Sequence, residues 1–190
     1  MISDLGELRP PQQEERPERT RFETANDAWG ELMDEIGQLK KSDITERNAT
    51  FIAGILVARD LELDFLDTQS IEVGMDTSNP SYQEKHEKHK KDTGKYVDIL
   101  REARNGDFSK LIDHIRELAK DHRDMAEDYD EEDSSYIRLS SNAQNLELIA
   151  EKIPPTGDGS TIRVPNPAHI EEPVPLRIQL ERFVKGESIR

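Results

Sequence analysis

Stretches with a helical apolar repeat alternate along this chain with stretches that have none. Thr24 is an N-cap candidate before Ala25, Trp29, Leu32, Met33 and Ile36. Their spacings of three and four predict a short amphipathic helix that stops near Gly37. Asp43 and Glu46 stand three apart as in a capping box, which predicts a second helix opening at Asp43. On it, Ile44, Phe51, Ile52, Ile55, Leu56, Leu63 and Leu66 share one broad face, so this is the expected centre of the core. Asp67 to Ser78 breaks the pattern. Asn79-Pro80 restarts it, because Asn can cap and Pro suits the first helical turn.

A third helix is expected from Pro80 to Arg104, with Tyr82, His86, His89, Thr93, Tyr96, Val97 and Leu100 on one stripe. Asn105-Gly106 ends it. The fourth is the most regular, with Leu111, Ile112, Ile115, Leu118, Ala119, His122, Met125, Ala126 and Tyr129 on one face. Glu127 to Asp133 then holds six acids in seven residues. Negative charge at a helix C-terminus opposes the macrodipole, so this run should end the fourth helix. Ser141 to Lys152 supports a short fifth helix through Ala143, Leu146, Ile149 and Ala150. Six of the ten prolines follow from Pro154 onward, which reads as an extended tail. Its end, Leu176 to Val184, fits strand alternation and also a helix with Pro175 at its start; the helix is preferred. The expected fold is all-α, with four to five helices over residues 24–152. An extended arm over 1–23 and a proline-rich arm over 153–190 flank that domain.

Composition narrows the chemistry. The chain has 190 residues, of which 33% are hydrophobic and 35% charged, enough apolar material for one modest core. It has no Cys, which excludes disulfides, thiolate metal sites and thiol catalysis. No apolar run approaches the ~20 residues that span a bilayer, and the first 24 residues are too polar for a signal peptide, so an intracellular location is expected. Acids outnumber bases 41 to 26, a net charge of −15 that argues against global attraction to nucleic acid. Any such binding needs a local basic patch.

The third helix supplies one. Lys85 to Lys95 holds five Lys against Glu87 and Asp92, and Lys88, Lys91 and Lys95 fall within about 60° of one another on a helical wheel. Two readings stay open: phosphate contacts, or ordinary surface pairs with Glu84, Glu87 and Asp92. Other groupings favour the plainer account. His86 and His89 have a spacing that can serve a metal, but their stripe with Tyr82 and Tyr96 favours packing. The acidic run lacks the Gly and spaced ligands of a calcium loop. Gly157-Asp158-Gly159-Ser160 lacks the Lys and following helix of a phosphate loop, and no G-x-S-x-G or H-E-x-x-H occurs. No catalytic residue, metal ligand or cofactor is assigned. Trp29 reads as a core anchor. In the tail, Leu176, Ile178, Leu180, Phe183 and Val184 favour docking on a partner, because a pure linker has no need of such residues.

The order of landmarks resembles the small terminase subunits of tailed phages and related archaeal viruses. An Arg/Pro-rich arm (Arg9-Pro10-Pro11 through Arg21) precedes a helix with an early Trp (Trp29). Gly37-Gln38-Leu39 and Asp43 follow, then a long apolar helix, then Asn79-Pro80 before another long helix. The likeness spans Arg9 to Arg104. Asn105-Gly106-Asp107-Phe108 departs from the Gly-Leu-Thr-Pro-Ser-like segment of that family, and the rest of the chain is not covered. The resemblance implies a non-catalytic component of DNA packaging in the host cytoplasm. Such a subunit forms a homo-oligomeric ring, recognises viral double-stranded DNA and delivers it to a large subunit with ATPase and nuclease activities. Lys40, Lys41, Arg47, Lys85, Lys88, Lys91 and Lys95 would face DNA, and the C-terminal arm would contact the large subunit. The rival readings are a virion connector such as a head–tail adaptor, and a helical interaction module.

Overall fold

The computed structural model describes residues 21–74, 80–165 and 174–187. Among these the protein is all-α, with six helices: α1 (Arg21–Gln38), α2 (Glu46–Gly74), α3 (Pro80–Arg104), α4 (Ser109–Ala126), α5 (Ser134–Lys152) and α6 (Leu176–Lys185). Two 3₁₀ turns, Lys41–Asp43 and Gly159–Thr161, stand between them. The arm expected over 1–23 lies outside the described residues except for Arg21–Glu23, which form the first turn of α1.

Packing radiates from α2, which touches every other helix. Ala49, Phe51, Ile52, Ala53, Leu56, Val57, Leu61 and Leu66 are buried on it, too many for a single stripe, as befits a helix with neighbours on several sides. It does not open at Asp43. Thr45 accepts the Asn48 N–H through its Oγ1 (3.2 Å), and the helix begins at Glu46. Asp43 instead closes the preceding turn by accepting the Lys40 N–H (3.2 Å). At the other end, α2 continues through Asp67 to Gly74, where the sequence pattern breaks. Its backbone stays helical there without an apolar repeat, since extending an existing helix is easier than starting one.

The acidic run ends α4 at Ala126 as expected, and its last residue opens α5. The Asp133 carboxylate accepts the Ser135 N–H (2.6 Å), so α5 starts at Ser134 rather than Ser141. Negative charge disfavoured at the end of one helix is favoured at the start of the next. The α4–α5 pair then packs on α1 and α2, with Trp29 half-buried against the core.

The first part of the segment expected as a proline-rich arm over 153–190 contacts the helical body. Phe108 N–H donates to the Pro155 carbonyl (2.9 Å) and Gly157 N–H to the Gly106 carbonyl (3.1 Å), tying the segment after α5 to the α3–α4 turn. Gly106 has φ +90°, which a side chain would strain. Ile162 is buried against Gly54 of α2, where any Cβ would crowd its terminal methyl. Proline rules out helix and sheet interior here, but it does not rule out docking as irregular chain.

The last element is the helix preferred from sequence. It ends in a left-handed Gly186 (φ 70°) whose N–H reaches the Arg182 and Phe183 carbonyls. Leu176, Leu180 and Phe183, expected to bind a partner, are buried in the core formed by this chain itself. Ile178 is half-buried, and Val184 is exposed. An amphipathic helix buries its stripe on the surface it can reach, and α1 and α2 supply that surface within one chain.

Candidate nucleic-acid interface

The basic stripe is built on the α2–α3 hairpin. The two helices run antiparallel, and the Thr93 hydroxyl donates to the Asp64 carboxylate across them. That face of α3 turns Ile99, Leu100 and Ala103 into the core and leaves Tyr96 and Val97 half-buried. Nearer the start of the helix Lys88, Lys90, Lys91 and Lys95 are all exposed, with Lys90 on a different side of α3 from the other three. The side chains of Lys85, His86 and His89 lie outside the described residues.

The lysines differ in what they are committed to. Lys95 donates to the Glu117 carboxylate of α4 (2.7 Å), which holds that carboxyl below the usual range. Lys88, Lys90 and Lys91 make no ion pair among the described residues, although Glu84 and Glu87 stand within helical reach. Lys95 is thus held in a surface pair, with a partner on α4 rather than Glu84, Glu87 or Asp92, and the other three are not.

The remaining basic candidates sit elsewhere. Lys40 and Lys41 are exposed at the α1–α2 corner. The Arg47 guanidinium lies 4.8 Å from the Phe183 ring centroid, committed to holding α6 by a cation–π contact. Arg47 precedes Asp64 by 17 residues on α2, about 25 Å along the helix. Because Thr93 meets Asp64, the corner residues and the α3 lysines form two separate basic regions. The structure does not join them into one patch.

No family model, curated protein or solved structure matches this chain. The local geometry therefore carries the functional argument, together with the landmark spacing of Arg9 to Arg104.

A buried polar cluster that the sequence pattern did not single out lies just inside the stripe. His114 of α4 is 5% exposed, and its Nε2 stands 2.7 Å from Asp60 Oδ2 of α2. Tyr96 packs edge-on against the imidazole, with ring centroids 5.4 Å apart. Burial raises the Asp60 carboxyl above its ordinary value, opposed by the hydrogen bond to His114. Burial also raises the Tyr96 phenol, reinforced by Asp60 and Asp64. On its other side, His114 Nδ1 is buried without a hydrogen bond, 3.9 Å from a Glu117 oxygen. A His–Asp pair can move protons, but this one is enclosed by three packed helices. Among the described residues, no group of three His, Asp or Glu is arranged to hold a metal ion. The cluster joins α2, α3 and α4 through Asp60, Tyr96 and His114. Its sequence signal is faint: an Asp four residues after Leu56 in an apolar run, and a His between Ile112 and Ile115.

A concavity lies at the other end of the hairpin. A groove of about 750 Å³ runs between the C-terminal end of α1, the start of α2 and α6, lined in part by Gln38, Leu39, Leu180, Glu181 and Val184.

Proposed function

We propose that this chain is a non-catalytic DNA-binding component of viral genome packaging, of the small terminase kind, acting as a homo-oligomer. The observation that carries the DNA part is the exposed, uncommitted pair Lys88 and Lys91 on one face of α3, in a chain whose net charge is −15. Lysines of this kind contact phosphates without reading base sequence, and their contribution falls steeply with salt. The viral setting and the large-subunit partner rest on the landmark spacing from Arg9 to Arg104.

In this reading the helical body supplies the oligomer and α3 supplies the phosphate contacts. Lys40 and Lys41 serve as a second, separate contact, while Arg47 is a structural residue. The acidic surface elsewhere limits wrapping and confines DNA to the α3 side.

The test is a mass measurement of the purified chain at low and high salt, with and without double-stranded viral DNA. A ring-sized assembly that retards DNA, and loses retardation in Lys88→Glu plus Lys91→Glu, supports the proposal. A monomer indifferent to DNA ends it. Stoichiometric amounts in purified virions would replace it with the connector reading.

A further inference from the structure

Glu117 stands between two groups that compete for it. Its Oε2 accepts from the Lys95 ammonium at 2.7 Å and lies 3.9 Å from His114 Nδ1, which is buried and has no hydrogen bond. The same imidazole is fixed from behind, where Nε2 and Asp60 Oδ2 are 2.7 Å apart and the Tyr96 ring packs edge-on. The two claimants differ in freedom. His114 is 5% exposed and cannot follow the carboxylate, whereas the Lys95 and Glu117 side chains are 48% and 62% exposed and can turn in solvent.

Protonation decides between them. With Asp60 ionised, neutral His114 donates through Nε2 and turns the lone pair of Nδ1 toward Glu117, and two acceptors do not bond. One proton added to the Asp60–His114 pair changes that face of the ring. It puts a hydrogen on Nδ1 whether the bridging proton then sits on Nε2 or on Asp60, because the pair titrates as a unit. We propose that Glu117 is a two-position carboxylate, holding Lys95 while the pair lacks that proton and turning in to Nδ1 when the pair gains it. The other charged and titratable groups gathered there are Asp60 and Asp64 on α2 and Asp92 and Tyr96 on α3. The carboxylates favour the added proton, and burial opposes it. The Lys95 cation opposes it too, so a proton on the imidazole and Lys95 at Glu117 work against each other.

The consequence for the lysine surface rests on the DNA part of the proposed function. At neutral pH Glu117 stands where a phosphate would, and the DNA contacts of α3 fall to Lys88 and Lys91. In acid, Lys95 joins them on the same face of α3 and adds one phosphate contact. An exposed pair is weak, so the gain at low salt is about twofold to fivefold in affinity.

The full-length wild-type chain is compared with Glu117→Gln, a nearly isosteric change at an exposed position. Nitrogen-resolved NMR follows the His114 ring and the Lys95 ammonium between about pH 8 and 5. In wild type the Lys95 signal moves with the same midpoint as the His114 ring. In Glu117→Gln the His114 midpoint falls and Lys95 no longer follows it. A Lys95 signal indifferent to the His114 titration, or a His114 midpoint unchanged by Glu117→Gln, overturns the switch. The same samples are then titrated with a short mixed-sequence DNA duplex at several salt concentrations. At neutral pH the slope of log affinity against log salt is steeper in Glu117→Gln by about 0.9, and acidification closes that gap. His86, His89 and His122 titrate in both chains, so the difference between the chains isolates Glu117. Equal slopes at neutral pH overturn the hold on Lys95. Coupled movement of His114 and Lys95 with no DNA binding at any pH supports the switch and defeats the DNA reading, which keeps the two failures apart.

Discussion

Asn145 closes α1 from more than a hundred residues away. Its Nδ2 donates to the carbonyls of Ile36 (2.8 Å), Gly37 (3.4 Å) and Leu39 (3.1 Å), groups that a helix end leaves without partners. Asn145→Ala should cost about 1–3 kcal/mol, because those partners become unsatisfied. Asn145→Asp should cost more near neutral pH, since an acceptor would then face three acceptors. Urea unfolding of the two variants checks the order. Gly159 makes a comparable demand on packing: a Cβ there would collide with the backbone carbonyls of Ala103 and Arg104, which cannot turn aside as a side chain can. Gly159→Ala should destabilise by about 1–3 kcal/mol in the same assay. His122, 8% exposed on α4, is held below the ordinary imidazole value of 6.5 because burial disfavours its cation, with Asp121 opposing. The unfolded chain therefore takes up a proton that the native chain resists. Its contribution to stability is complete above 6.5 and is lost as pH falls through 6.5 toward the folded value. His122→Gln should flatten that acid limb by no more than about 1.4 kcal/mol per pH unit, read from unfolding curves between pH 7 and 5.

At the scale of elements, apolar stripes foretell the existence of the helices better than their ends. The regular faces of α3 and α4 identify both, because a 3.6-residue repeat is local information. The start of α5 is hidden in the sequence because its first turn, Ser134 to Tyr136, is polar and rests on the Asp133 cap rather than on a buried face. The segment from Pro154 to Pro165 looks in sequence as though it leaves the body, because its prolines remove regular structure. Ile162 nevertheless finds a seat made by Gly54, a residue whose purpose on α2 emerges only once its neighbour is in place. For α6, Phe183→Ala should cost about 3–5 kcal/mol through loss of the stacked ring, whereas Val184→Ala one residue on should stay within about 0.5 kcal/mol. Thermal unfolding of the pair separates the docked face of α6 from its open one.

For the whole molecule, charge is organised by helix rather than by composition. The body is acidic, the α4–α5 turn most of all, and the α3 lysines stand apart on the hairpin. If Lys88 and Lys91 each neutralise one phosphate, their joint replacement by Glu should weaken DNA binding at low salt. It should also reduce the slope of log affinity against log salt by about 1.8. An unchanged slope would remove both residues from the interface. Of the seven basic positions nominated from sequence, the α3 register was legible because exposed lysines repeat opposite an apolar stripe. The engagement of Lys95 by Glu117 and of Arg47 by Phe183 was not legible, since those partners lie 22 and 136 residues away.

By itself the sequence determined that this chain is helical, that it uses no thiol chemistry, and that its lysines cluster on one helix. Those properties follow from local spacing and residue chemistry. Only the tertiary structure decided which lysines remain uncommitted, that His114, Asp60 and Tyr96 join three helices, and that the proline-rich segment and α6 pack on the body. Each of these is a pairing between distant positions, and the free energy of burial and of ion pairing depends on which surfaces meet, a quantity that no single stretch of sequence contains.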